Sequence, residues 1–246
     1  MKNFFDFTGK KYIVTGASSG IGRAAAIGLS QQGAKVVMVA RDENRLEATL
    51  CQLHGRGHLS VSLDLAQSDD LSYLLEKAVD DGTRIDGVVH CAGIATILPL
   101  SMLDRANMDE CMRVNFYSFV ELVKQASRKK FRPEKMSIVA VSSMAALCPL
   151  KCQTVYAASK AALNAAVHAL AVEMAGKKIR INAVCPGVVD TTMLQDSRKM
   201  ADTEPPPQML GVTQPEQIAH SIMYLLSDAS SCITGRCLFA DSGVFI

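Results

Sequence analysis

Seven short runs rich in β-branched residues alternate with six stretches of helical periodicity, and that alternation leaves few folds open. The runs are "KKYIVT", "AKVVMVA", "HLSVSL", "RIDGVVH", "MSIVAVSS", "KIRINAVC" and "RCLFA". Between them, residues 20–32, 42–52, 68–81, 104–130, 153–176 and 214–228 carry apolar side chains at helical spacing. Strand–helix–strand units of this kind join by right-handed crossovers into a parallel sheet with helices on both faces. Strands covered on both faces become continuous apolar runs, as "VVMVA" is. No linker or repeat divides the chain, so the expectation is an α/β protein, one doubly wound domain over residues 1–246.

Composition narrows the partners. Hydrophobic residues make up 49% of the chain, enough for a large core, and the net charge of +2 gives no general attraction to nucleic acid or an anionic membrane. The start "MKNFFDFTGKKYIVTG" lacks a signal peptide's apolar core, and no uninterrupted apolar run approaches the roughly 18 residues that span a bilayer. A soluble protein of the cytoplasm is expected. Eight scattered cysteines without a C-x-x-C pair fit reduced thiols, and Cys148 and Cys152 are taken as structural. The histidines form no ligand cluster, and His54 and His58 bracket a "GRG" loop, so no metal site is expected.

The chemistry starts after the first strand, at "TGASSGIGR". Gly16, Gly20 and Gly22 are spaced G-x-x-x-G-x-G between a strand and a helix. Glycines there allow a tight turn and close backbone approach, and a helix start offers free N–H groups to a pyrophosphate. At the end of the second strand, where an acidic residue would accept from the 2′-hydroxyl of NAD, stand Ala40 and Arg41. Arg41 suits a 2′-phosphate, which favours NADP(H) over NAD(H). Asp42 follows and is equally a helix-start acid. Further on, "YAASK" sets Tyr156 and Lys160 four positions apart on one helix. That spacing brings the side chains together, and an ammonium beside a phenol stabilises phenolate.

These pieces together resemble the short-chain dehydrogenase/reductase family over essentially all 246 residues. In order they are "TGASSGIG", Asp64-Leu65, "CAG" at 91–93, Asn115, Ser143, "YAASK" and "PGVVDT" at 186–191. The resemblance implies a Rossmann-like fold and an oxidoreductase acting between a carbonyl and an alcohol. It implies Tyr156 as acid/base, with Lys160 lowering its pKa and holding the nicotinamide ribose. It implies Ser143, not Ser142, on the substrate oxygen, and Asn115 holding a relay water. For the cofactor it implies Gly16, Ser18, Ser19, Gly20, Ile21 and Gly22 in the turn. Asp64 and Leu65 would lie at the adenine, Cys91, Ala92 and Gly93 along the cofactor, and Pro186, Gly187, Val189 and Thr191 at the nicotinamide.

Two departures stand out: Cys91 replaces the family's asparagine, and "FADSGVFI" replaces its usual tail. The first removes a tie to the neighbouring strand, and the second bears on subunit contacts. The stretch 190–213, with "PPP" inside it, is taken as a substrate loop or lid, or else a disordered surface loop. The basic run "RKKFR" at 128–132 is either a solvated helix end or, as in relatives that reduce acyl-carrier-protein thioesters, a meeting point for an acidic carrier. Alanine at 157, 158, 161, 162, 165, 166 and 169 points to a second apolar face on the 153–176 helix. The family resemblance implies that this helix and the 104–130 helix pair about a two-fold axis in a homodimer or homotetramer. The expected activity is an NADP(H)-dependent ketoreductase. Alternatives are an NAD-linked alcohol dehydrogenase, a 3-oxoacyl-thioester reductase, or an idle nucleotide-sensing scaffold.

Overall fold

The computed structural model describes residues 5–66, 70–195 and 207–244. Seven strands form one sheet: β1 (Lys11–Thr15), β2 (Lys35–Ala40), β3 (Leu59–Ser62), β4 (Gly87–His90), β5 (Met136–Val141), β6 (Ile179–Pro186) and β7 (Cys237–Ala240). The order is β3-β2-β1-β4-β5-β6-β7, and every pairing is parallel. This is the doubly wound, Rossmann-like sheet expected from the alternation. The three central strands, β1, β4 and β5, are buried throughout.

The helices are α1 (Gly20–Gln31), α2 (Glu43–Leu50), α3 (Asp70–Val79), α4 (Arg105–Met112), α5 (Ser118–Ala126), α6 (Thr154–Met174) and α7 (Pro215–Leu226). Two apolar cores result, one on each face of the sheet. One joins Leu74, Phe119, Leu122, Leu163 and Val167 from α3, α5 and α6 to Ile138 and Ile181 of the sheet. The other joins Ala25, Leu29, Ile222 and Leu225 from α1 and α7 to Val14, Met38 and Val184. Each fully buried Leu or Ile here contributes about 1.5–3 kcal/mol relative to exposure.

The sequence pattern differs from the structure at one informative place. The helix expected over 104–130 ends at Ala126, and a five-residue π-helix, Arg113–Tyr117, separates α4 from α5. Periodicity cannot reveal that insertion, because its cause is tertiary: the Asn115 side chain inside it pairs with the backbone of Ile94. The expected 190–213 loop is described only in part, since 196–206 lie outside the described residues. Thr154–Lys177 is by length and composition apolar enough to cross a bilayer, which the search for an uninterrupted run missed. Its Leu163, Val167, Ala171 and Met174 instead pack into the core beside the sheet.

Strand order reverses between β1 and β4, whose chains leave in opposite directions. Such a switch point opens a crevice beyond the C-terminal ends of the strands.

Candidate active site

A cavity of about 780 Å³ occupies that crevice. All the residues named above for the cofactor border it, as do Ser143, Tyr156 and Lys160. Asn115 is the exception, buried behind the wall.

The glycine turn is shaped for a ligand's backbone approach. Gly16 has φ +66°, and a Cβ there would meet the backbone of Ala92 and Cys91 at 2.8–2.9 Å. A Cβ on Gly22 would meet Gly16 O at 2.3 Å, so only glycine lets α1 start this close to the turn. Ser19 caps α1 without a side-chain hydrogen bond, and no acid lies in its first turn. The free N–H groups and positive helix end thus face the cavity, the arrangement that receives a pyrophosphate. Arg23 steadies the turn by donating to Ser18 O and, at 3.2 Å, to Thr49 Oγ1.

At the end of β2, Arg41 borders the cavity together with Arg45. Sequence reading missed Arg45, although "RDENR" places it four residues on. Asp42, in the same wall, is already engaged. Its carboxylate caps α2 by accepting from Arg45 N at 2.9 Å and pairs with Arg45 Nε at 3.2 Å. The helix-start reading of Asp42 therefore holds. Asp64 accepts from Ala66 N at 3.0 Å and keeps an oxygen at the same end of the cavity.

The reacting end is built from β4, β5 and α6. Lys160 is 4% exposed, and its Nζ donates to Val141 O at 2.9 Å. Burial pushes that ammonium down to about 8. The same Nζ lies 5.8 Å from the centre of the Tyr156 ring. Burial raises the Tyr156 phenol above its ordinary value, against a hydrogen bond with Ser143 that lowers it. The expected lowering by Lys160 is not met in this geometry, because desolvation outweighs every other influence on the phenol. Ser143 and Ser142 divide the work: Ser142 Oγ is buried and donates to Lys160 O at 3.3 Å, fixing α6, while Ser143 meets Tyr156.

Asn115 ties this end to the cofactor loop. Its Oδ1 accepts from Ile94 N at 2.8 Å, and its Nδ2 donates to Ile94 O at 3.0 Å and Ser159 Oγ at 2.9 Å. A Cβ on Gly93 would lie 3.2 Å from Asn115 Oδ1 and 3.3 Å from Lys160 Nζ, so the three meet at one point. The tie lost with Cys91 is supplied from elsewhere. Ala92 N donates to Thr15 Oγ1 at 3.1 Å, and Thr15 Oγ1 meets His90 Nδ1 at 3.1 Å. Burial pushes the Cys91 thiol up to about 12, which leaves it unreactive. All eight cysteines are free.

The basic run lies elsewhere. Arg132 is buried, donating to the carbonyls of Ser127, Pro133 and Glu134, and Lys130 pairs with Glu76. The run precedes β5, so it sits at the opposite end of the sheet from the cavity. This supports the solvated helix end over a carrier-docking site.

A dinucleotide cradle that opens onto a tyrosine, a serine and a buried lysine defines a nicotinamide-dependent oxidoreductase. Comparison with known proteins specifies the group. A family profile described as enoyl-(acyl carrier protein) reductase matches residues 16–245. An L-xylulose reductase of Caenorhabditis elegans is 34% identical, covering 97% of this chain and 97% of its own. A 3-oxoacyl-[acyl-carrier-protein] reductase of Thermotoga maritima is 32% identical, covering 97% of this chain and 98% of its own. The solved short-chain type dehydrogenase/reductase of Mycobacterium marinum superposes with a TM-score of 0.88 at 27% identity, covering 98% of this chain and 97% of its own. The chain belongs to the short-chain dehydrogenase/reductase family and is an oxidoreductase acting on CH–OH groups and carbonyls.

Proposed function

We propose that the protein, as one catalytic domain over residues 1–246, is an NADP(H)-linked ketoreductase. The observation that carries the reading is the gathering of Tyr156, Ser143 and buried Lys160 at one end of the cofactor cavity. A tyrosine keeps at neutral pH the proton that carbonyl reduction consumes, and burial here shifts its phenol further in that direction. When bound, the nicotinamide supplies or accepts the hydride. Tyr156 donates its proton to the substrate oxygen, and Ser143 hydrogen-bonds the same oxygen as charge develops there. Lys160, buried and poised at about 8, holds a positive charge beneath the site at neutral pH and can return a proton to Tyr156. Asn115 fixes the 93–94 loop against which these groups are set.

Cofactor choice rests on the end of β2. Two guanidinium groups, Arg41 and Arg45, border the cavity there, while the Asp42 carboxylate is occupied. This supports a 2′-phosphate over a free 2′-hydroxyl. Arg41→Ala is expected to weaken NADPH binding by about 1.5–3 kcal/mol, the range for a hydrogen bond to a charged group, and to leave NADH nearly unaffected. Titration of both cofactors by fluorescence checks it, and equal losses for the two would remove Arg41 from the 2′-position.

Self-association and a cytoplasmic setting belong to the same proposal. Ala158, Ala161, Ala165, Ala169 and Val172 form an exposed stripe along α6, with Val172 82% exposed. Spacings of three and four residues put them on one face, where small side chains let a second helix approach closely. Light scattering at micromolar concentration should give two or four times the monomer mass. A monomer with full activity would reject the interface.

A further inference from the structure

The two halves of the cavity differ in chemistry. Both its carboxylates, Asp42 and Asp64, lie with Arg41 and Arg45 at the adenosine end. Beyond Tyr156 and Ser143 the wall is mostly apolar, with Ala95, Ile97, Leu150, Met193 and Leu194, and its polar members are Lys151, Gln153 and Thr192. Among the described residues no acid borders this half, and Lys151 has no ion-pair or hydrogen-bond partner.

The turn that carries these two side chains is held in a strained form. Cys152 between them adopts φ +67°, a left-handed conformation that non-glycine residues rarely take. Three hydrogen bonds hold it there. Gln153 N donates to Leu150 O at 3.2 Å, Leu150 N donates to Gln153 Oε1 at 2.8 Å, and Leu98 N donates to Cys152 O at 2.9 Å. The Gln153 amide is thereby turned with its oxygen to the backbone, and among the described residues its NH₂ has no hydrogen-bond partner. Both donor-bearing side chains line the cavity, and among the described residues no acid stands beside them.

We propose that Lys151, with the Gln153 amide beside it, binds the anionic end of the carbonyl substrate, and that the substrate is an oxo acid with an apolar body. This rests on the reductase reading above. A polyhydroxylated sugar would leave several hydroxyls facing five apolar side chains, each without a partner. An apolar chain ended by a carboxylate matches the wall along its length and the ammonium at its end.

The test compares 4-oxopentanoate, 5-oxohexanoate and 6-oxoheptanoate with their methyl esters, using NADPH. At the best chain length the acid should exceed its ester in kcat/KM by at least about tenfold. Lys151→Ala should reduce that ratio below about threefold, Lys151→Glu should invert it, and Lys151→Arg should keep it. Heptanoate, which has no carbonyl to reduce, is titrated calorimetrically into the NADP-loaded protein in parallel. If no oxo compound is turned over but heptanoate binds and Lys151→Ala weakens it about tenfold or more, the anion site stands and the reductase reading falls. Esters reduced as well as acids, or a ratio unchanged in Lys151→Ala, overturns the anion site and leaves the reductase. Neither turnover nor heptanoate binding overturns both.

Discussion

Tyr156→Phe is expected to lower kcat by about 10²–10⁴, the usual contribution of a positioned proton donor, while NADPH affinity changes less than about threefold. That loss corresponds to about 3–5 kcal/mol of transition-state stabilisation. The argument is that no other group can replace the phenol. Lys160 Nζ donates to Val141 O and lies under the tyrosine ring, 5.8 Å from its centre, so it reaches the substrate oxygen only through the phenol. Ser143 Oγ accepts from Ala145 N at 3.1 Å and has no acidic proton to give at neutral pH. Phenylalanine keeps the ring and its packing, so the change isolates the hydroxyl. Single-turnover measurement with saturating NADPH separates chemistry from binding. A kcat within about threefold of the wild type would remove Tyr156 from the proton path. The pH profile adds a second constraint. Because the phenol lies above its ordinary value, carbonyl reduction, which needs its proton, should stay level through neutral pH and fall only in the alkaline range, where alcohol oxidation, which needs tyrosinate, is still rising.

The sheet was legible in the chain because its information is local. Seven β-branched runs between helical stretches leave a parallel sheet as the consistent outcome, and the glycine turn then marks which crevice binds. The residues around the reacting centre were legible through family resemblance, and the structure gathers them around one cavity with Asn115 behind it. What could not be read depends on contacts distant in sequence. The π-helix at Asn115 follows from bonds to Ile94, 21 residues away. The left-handed Cys152 follows from its carbonyl's bond to Leu98. A cysteine at a conformation that suits glycine carries no local signal. Ile97, Leu150 and Gln153 belong to no motif, and they reach the cavity only because loops after β4 and β5 converge there. The pKa of Tyr156 was misjudged for a related reason: sequence shows the nearby ammonium and not the burial that outweighs it.

His90 escaped sequence reading altogether, and it carries the second large prediction: acid should destabilise this protein through one buried imidazole. His90 ends β4 at 1% exposure, with its ring 5.5 Å from that of Phe119. The hydrogen-bond network assigns its neutral form. Nδ1 of the neutral ring accepts from Thr15 Oγ1 at 3.1 Å, the same oxygen that accepts from Ala92 N, when Nε2 carries the proton. Ser118 Oγ donates to Val114 O at 2.6 Å, so it accepts from His90 Nε2 at 3.5 Å. A second proton on the ring would reverse the Thr15 bond and add a buried charge near the Lys160 ammonium, with no acid among the groups that shift it. Burial first, and Lys160 second, hold the imidazole down at about 3. An unfolded histidine titrates near 6.5. Between those values the unfolded chain binds more protons than the folded one, so stability is present above about 6.5 and drains as pH falls toward about 3. From pH 7 to pH 4 the loss is roughly 3 kcal/mol, at about 1.4 kcal/mol per unit. Urea unfolding of wild type and His90→Asn at both pH values is the measurement. The variant has its own cost at pH 7 from lost packing, and the readout is the difference in pH dependence. Wild type should lose roughly 3 kcal/mol more than His90→Asn on acidification. Parallel losses would place the acid sensitivity on carboxylates such as Asp81, whose bonds to Lys11, Thr83 and Lys35 hold its carboxyl far below the usual range.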